Sequence, residues 1–261
     1  MLVLLPPSEG KAGGLTGRPV ALESLSFPGL TGARARVLDE LVALCSGDAE
    51  KAREVLGLSA GQVGEVARNA ALRGAPTGRV GAVYTGVLYD ALDLAGLSAA
   101  AKRRAAGALV VFSGLWGALR IGDRVPAYRC SAGVRLPGIG ALAGHWRGPL
   151  AEVLPEVAGG GPVLDLRSAA YAALWRPTGE VAERTLTVRV LQERLVGGVP
   201  KRTVVSHFNK ATKGRLVRDL LEAGPLPRRA GLVADALRDL GYRVESDEAA
   251  PNRLDVVVSE V

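Results

Sequence analysis

Apolar and polar positions in this chain fall into blocks whose period changes repeatedly along its length. "MLVLL" is a continuous apolar run that stops at Pro6-Pro7, where two residues without an amide proton force the backbone out of a ladder. After the glycine-rich "SEGKAGGLTGRP" the period lengthens to that of a helix. In "ARARVLDELVALCS", Val37, Leu38, Leu41 and Leu44 share one face. "DAEKAREVLGL" predicts a second helix capped by Asp48, and "SAGQVGEVARNAAL" a third capped by Ser59. "VGAVYTGVLYDAL" reads as a strand turning into a helix at Thr85-Gly86, and "SAAAKRRAAG" as a helix capped by Ser98. "ALVVFSGLWGAL" repeats the strand-to-helix form, and "GPVLDLRSAAYAALW" does so again with its break at Arg167-Ser168. "ERTLTVRVLQE" and "RTVVSHFN" read as strands, "KGRLVRDLLEAG" and "AGLVADALRDLG" as helices. "YRVESDEAAPNRLDVVVSEV" closes the chain as a hairpin or an edge strand.

Buried strands alternating with helices predict the α/β class: a mixed sheet flanked by helices, in a single domain over 1–261, with 33–75 a helical insertion beside the sheet. In open α/β sheets ligands bind beyond the carboxyl ends of the strands. Several predicted strands end there in polar residues: Ser8, Glu9 and Lys11; Tyr84 and Thr85; Ser113; Asp165, Arg167 and Ser168; His207, Asn209 and Lys210. They form one basic cleft at the strand ends, or they are scattered loop residues that cap helices.

Charge sharpens this picture. A net charge of +7 and a pI near 9.8 fit an anionic partner such as nucleic acid, a nucleotide or a phosphorylated metabolite, or else a solvated basic surface. Of 33 basic residues only six are lysines, and Lys11, Lys210 and Lys213 fall in motif-like stretches. A lysine kept in an arginine-rich chain offers a compact ammonium with a tunable pKa. Residues 200–218 carry Lys201, Arg202, Lys210, Lys213, Arg215 and Arg218 with no acidic residue among them. "SGLWGALRIGDRVPAYR" adds Arg120, Arg124 and Arg129, with Trp116 as a flat apolar face and Asp123 to order one arginine. Such forks suit phosphate or carboxylate, and they equally suit pairing within the fold.

Other chemistries find less support. GxxxxGK[ST] is absent, which excludes a Walker-type nucleotide loop. No HExxH or zinc ligand set occurs, and His145 with His207 make a poor metal site, so neither a metal nor a cofactor is expected. Glu9 and Lys11 form an acid/base pair or a loop salt bridge. Ser113 or Ser168 with His207 and Asp165 make a triad on paper, without the GxSxG elbow. Cys45 and Cys130 stand alone, which predicts no disulfide and a reducing compartment. "MLVLLPPSEGK" is too short for a signal peptide or a span, and no later apolar run reaches spanning length; the expectation is a cytoplasmic protein without a membrane partner. "VLGLSAGQVGEVA", 55–67, is faintly like a helix-hairpin-helix.

"PPSEGK", "YTGVLYDAL", "FSGLWGALRIGDRVPAYR", "GHWRGPL", "VLDLRSAAYAALW" and "VSHFNKATKGRLVRDLL" occur in the order seen in the YaaA family of bacterial peroxide-stress proteins, which the chain resembles over nearly its whole length. The first strand leads here into Pro-Ser-Glu-Gly-Lys, where the better-known branch has Ser-Pro-Ala-Lys. The resemblance implies a cytoplasmic α/β protein with a basic cleft, a helix-hairpin-helix-like element that binds duplex DNA, and a part in limiting free iron. Few soft or imidazole ligands are present, so the effect on iron is indirect. Two functions follow. One is a protein that holds DNA backbone with Lys11, Arg120, Arg124, Arg129, Lys201, Lys210, Lys213 and Arg215. The other is an enzyme acting on a nucleotide-like or phosphorylated small molecule, with Ser8, Glu9, Lys11, Tyr84, Ser113, Asp165, Ser168 and Lys210 around it.

Overall fold

The apolar runs become the strands of one mixed sheet in the computed structural model, which describes residues 1–196, 199–203, 206–247 and 249–259. Its strands, in chain order, are β1 (Leu2–Leu5), β2 (Leu109–Ser113), β3 (Gly117–Arg120), β4 (Val163–Asp165), β5 (Thr185–Val196), β6 (Val199–Thr203), β7 (Arg243–Asp247) and β8 (Ala250–Ser259). They are ordered β7-β8-β5-β4-β1-β2-β3, with β6 also paired to β5. β2, β1, β4, β5 and β8 run parallel, while β3, β6 and β7 are antiparallel additions. The parallel centre is covered on both faces: every residue of β1 and β2 is buried, as their unbroken apolar sequences require.

β4 is short and pairs only with Thr185–Thr187 of β5, whereas β6 pairs with Gln192–Val196. The β5–β6 hairpin therefore continues past the carboxyl end of β4. The helix Ser206–Ala223 follows it in the chain.

Helices Thr31–Ser46, Ala49–Val55 and Gly64–Ala70 build the segment predicted as an insertion. Asp48 accepts from the Lys51 amide and Ser98 from the Ala101 amide, as their positions ahead of helical runs predict. Helix Leu142–Ala158 buries Trp146, whose indole donates to the Gly114 carbonyl at 2.8 Å. Among the described residues no helix is long and apolar enough to cross a membrane.

Three elements differ from their sequence reading. Residues 114–117 turn back into a hairpin rather than a helix. The Ser113 hydroxyl accepts from the Leu115 and Trp116 amides, and Gly117 at φ +70° lets the chain reverse beside the Trp146 ring. Val80–Val83 is a helical turn, with the extended segment limited to Thr77–Arg79. The helix that follows β6 begins at Ser206, so Asn209 and Lys210 sit in its first turns and not at a strand end. That helix packs closely on Val87–Leu92 at Gly214, where an added Cβ would lie 2.2 Å from the Leu88 carbonyl oxygen.

Candidate functional site

Beyond the carboxyl ends of β1 and β4 lies a cleft of about 340 Å³, lined by Ser8, Glu9, Gly10, Ser168, Tyr171 and Lys210, with the Thr85–Tyr89 segment opposite. The sequence shapes it locally. Pro6 and Pro7 end β1, and the chain then leaves the sheet in a loop pinned to residues 83–89. Ala12 donates to the Val83 carbonyl, Tyr89 Oη to the Pro6 carbonyl, and the Thr85 amide to Ser8 Oγ. Lys11 and Tyr84 pair as an isolated bridge. From the other side, Ser168 starts the helical turn Ala169–Ala172 without using its hydroxyl as a cap. Lys210 comes from the helix held at Gly214 and is exposed. Among the described residues no side chain pairs with its ammonium.

Behind the cleft is a buried polar layer. Lys11 Nζ donates to the carbonyls of Ser8 (2.7 Å) and Glu9 (3.3 Å) and stands 4.4 Å from the Tyr128 ring centroid. Burial pulls its pKa down to about 8, with Glu9 opposing and Arg129 assisting. Tyr84 Oη, Tyr128 Oη and Ser113 Oγ form a chain with links of 2.8 and 2.6 Å. Burial raises Tyr84 to about 12, so these phenols are neutral at ordinary pH. Lys213, one helical turn beyond Lys210, donates to the Leu166 carbonyl at 3.3 Å; burial lowers its pKa and Asp165 partly offsets this.

Several sequence candidates have other work. Asp165 forms a two-pronged ion pair with Arg167 (2.9 and 2.6 Å), itself 4.2 Å from the Phe112 ring centroid. Of the residues that make a triad on paper, Asp165 is committed to Arg167 and Ser113 to Tyr128, while the Ser168 hydroxyl is not used as a cap. The side chain of His207 lies outside the described residues. Glu9 pairs with Arg129 at 2.8 Å rather than with Lys11. Buried Asn69 holds Arg129 in place through its backbone amide and carbonyl.

Arg120 donates to the Gly107 and Leu109 carbonyls, opposite Val110 in the register, and so lies toward the amino end of β2, away from the cleft. Arg124 donates to the Thr77 carbonyl in a separate hollow. Asp123 orders Ser26 and the Arg120 amide instead of a guanidinium. Trp116 is completely buried and offers no outer face. Lys201 is exposed on the β5–β6 arm, and Arg215 is exposed and donates to Thr212 Oγ1 at 3.5 Å. Around 55–67, the amides of Gly57, Leu58, Gln62 and Val63 are spent on nearby carbonyls.

Sequence reasoning did not single out Tyr128, Tyr171 or Asn69. Tyr128 stands in the quoted "PAYR", but nothing local marks it as the partner of residues 15 and 44 positions away. A larger hollow of about 480 Å³ near Pro177, Ala182 and Pro251 is mainly apolar. Among the described residues no group of His, Cys, Asp and Glu is arranged to hold a metal ion.

Residues 1–247 match the family model described as peroxide stress protein YaaA. A UPF0246 protein of Streptomyces coelicolor is 64% identical, with both chains covered in full. A UPF0246 protein of Corynebacterium efficiens is 41% identical over 99% of this chain and all of the relative. One from Corynebacterium glutamicum is 37% identical over the same shares.

Proposed function

The chain belongs to the peroxide stress protein YaaA family, and from that membership we propose that it serves peroxide stress through the cleft beyond β1 and β4, by binding a small anionic molecule there. The observation that carries this reading is the convergence of an unpaired Lys210 ammonium and an uncommitted Ser168 hydroxyl on a hollow of about 340 Å³. That volume suits a mononucleotide-sized ligand and is too small for a duplex. The neutral tyrosines and the desolvated Lys11 behind it supply more tuned chemistry than backbone binding requires.

The test is calorimetric titration with 5′-AMP. The wild-type protein binds, and Lys210→Ala weakens binding by roughly ten- to a hundredfold, the worth of a charge-assisted contact. Equal affinity in the two proteins would overturn the reading.

A second reading has its own support: Lys201, Lys210 and Arg215 are all exposed, on the arm and the helix that follow β5. In this reading they hold DNA backbone in the cytoplasm, and the protein limits free iron indirectly. Duplex binding would then fall steeply with salt, and Lys201→Ala with Arg215→Ala would shallow the log–log slope by about 2. An unchanged slope removes these residues from any DNA interface.

A further inference from the structure

The hydroxyl chain behind the cleft has a direction, fixed by the backbone. Ser113 Oγ accepts from the amides of Leu115 at 3.2 Å and Trp116 at 3.0 Å. These two donors occupy both of its lone pairs and leave its own proton to be donated. The acceptor is Tyr128 Oη at 2.6 Å, and the Tyr128 proton passes in turn to Tyr84 Oη at 2.8 Å. Tyr84 thus ends the chain as a donor, and among the described residues its proton meets no acceptor.

Lys11 lies over the ring of the same tyrosine, 5.4 Å from the Tyr84 centroid. Two of its N–H groups are used by the Ser8 and Glu9 carbonyls. The third position carries a proton in the ammonium and a lone pair in the amine, so deprotonation breaks neither carbonyl contact. Ser8 and Glu9 also line the cleft, which leaves the amine directly behind its wall. Lys213 is also largely buried, and among the described residues it donates to one carbonyl and to no hydroxyl, which makes it an internal control.

Resting on the small-anion reading of the cleft, we propose that Lys11 is a nucleophile toward the carbonyl carbon of a small anionic aldehyde or ketone, with Tyr84 as the proton donor and Lys210 as the anchor of the anion. The amine lone pair forms the C–N bond while the carbonyl π pair moves to oxygen. That oxygen takes the Tyr84 proton, and the nitrogen returns one to the phenolate. In the second half the C–O bond breaks, the oxygen leaves as water with the Tyr84 proton, and the nitrogen gives up its last proton to restore Tyr84. One carbonyl and one amine become one imine and one water, with no oxidant or reductant consumed.

Trapping tests this. The wild-type protein is treated with pyridoxal 5′-phosphate, a phosphate-bearing aldehyde, then reduced with borohydride, and the labelled lysines are located by peptide mass spectrometry. Lys11 should label at least about tenfold faster than the exposed Lys51, Lys102 and Lys201 near pH 8, because burial favours its amine form. Its rate should rise through pH 8 in the surroundings set by Glu9, Glu65, Arg129, Cys130 and the two tyrosines. Tyr84→Phe keeps the ring and should slow labelling by roughly tenfold, the scale of one general-acid contact.

Labelling in order of exposure, or an unchanged rate in Tyr84→Phe, overturns the proposal. The cleft reading fails separately. If inorganic phosphate does not slow labelling of Lys11 in the wild type, or slows it equally in Lys210→Ala, the anion is not held at Lys210. If phosphate binding depends on Lys210 while Lys11 stays unlabelled, the cleft stands and the imine falls.

Discussion

The two ends of the sheet use cations differently. At the amino end arginines are tied to main-chain carbonyls: Arg120 to Gly107 and Leu109, and Arg184 to Ala158, Gly159 and Gly161. At the carboxyl end the arginines Arg129 and Arg167 are neutralised by Glu9 and Asp165, and the cations left for chemistry are Lys11, Lys210 and Lys213. A planar fork that never loses its proton is suited to joining carbonyls, while an ammonium with a movable pKa is suited to a site. The strong positive charge of the chain is therefore a poor guide to its interface, because much of it is internal bonding.

The sharpest test of that contrast is Arg34, completely buried and bonded to the carbonyls of Ser26, Phe27, Trp116 and Ala118. Arg34→Ala should lower the unfolding free energy by about 3–5 kcal/mol in denaturant titrations, and Arg34→Lys should recover less than half of it, since an ammonium cannot span four carbonyls. Full rescue by lysine would break the distinction. Next is Gly214→Ala, which should cost about 1–3 kcal/mol because the new Cβ meets the Leu88 carbonyl. It should also weaken 5′-AMP binding by moving the helix that carries Lys210. Arg120→Ala should cost about 1 kcal/mol and leave 5′-AMP affinity unchanged.

The smallest effect is a pH dependence. Burial lowers Lys11 from 10.5 to about 8, so between these values the unfolded chain binds more protons than the folded one. Stability contributed at this site therefore rises with pH across that window, and Lys213 acts in the same direction. Lys11→Met should remove part of the rise seen in denaturant midpoints between pH 8 and pH 10.5. A steeper rise in the variant would mean that Lys11 is better stabilised as an ammonium in the fold than in water.

What could be read in the sequence was mostly local. The unbroken apolar runs of β1 and β2, the caps at Asp48 and Ser98 and the stop at Pro6-Pro7 each depend on near neighbours, and the mixed α/β sheet follows from them. Of the cleft, Ser8, Glu9, Ser168 and Lys210 were legible as polar residues close to ends of apolar runs. Partners were not legible. Nothing in "ALRIGDR" says that Arg120 meets carbonyls 11 and 13 residues earlier, or that Asp123 meets Ser26 across 97. The hairpin at 114–117 escaped because "SGLWGAL" carries a helical period, while the turn is set by one hydroxyl and one left-handed glycine. The apolar start of "VVSHFN" similarly masked a helix that begins at Ser206.

With six lysines in the chain, their side-chain ammonium signals can be resolved one by one by NMR of lysine-labelled protein, which tests the division of labour directly. Titration with 5′-AMP should move the Lys210 signal first and saturably, perturb Lys11 next, and leave Lys51, Lys102 and Lys201 in place. If Lys201 moves while Lys210 does not, the anion sits on the β5–β6 arm and the cleft is not the site.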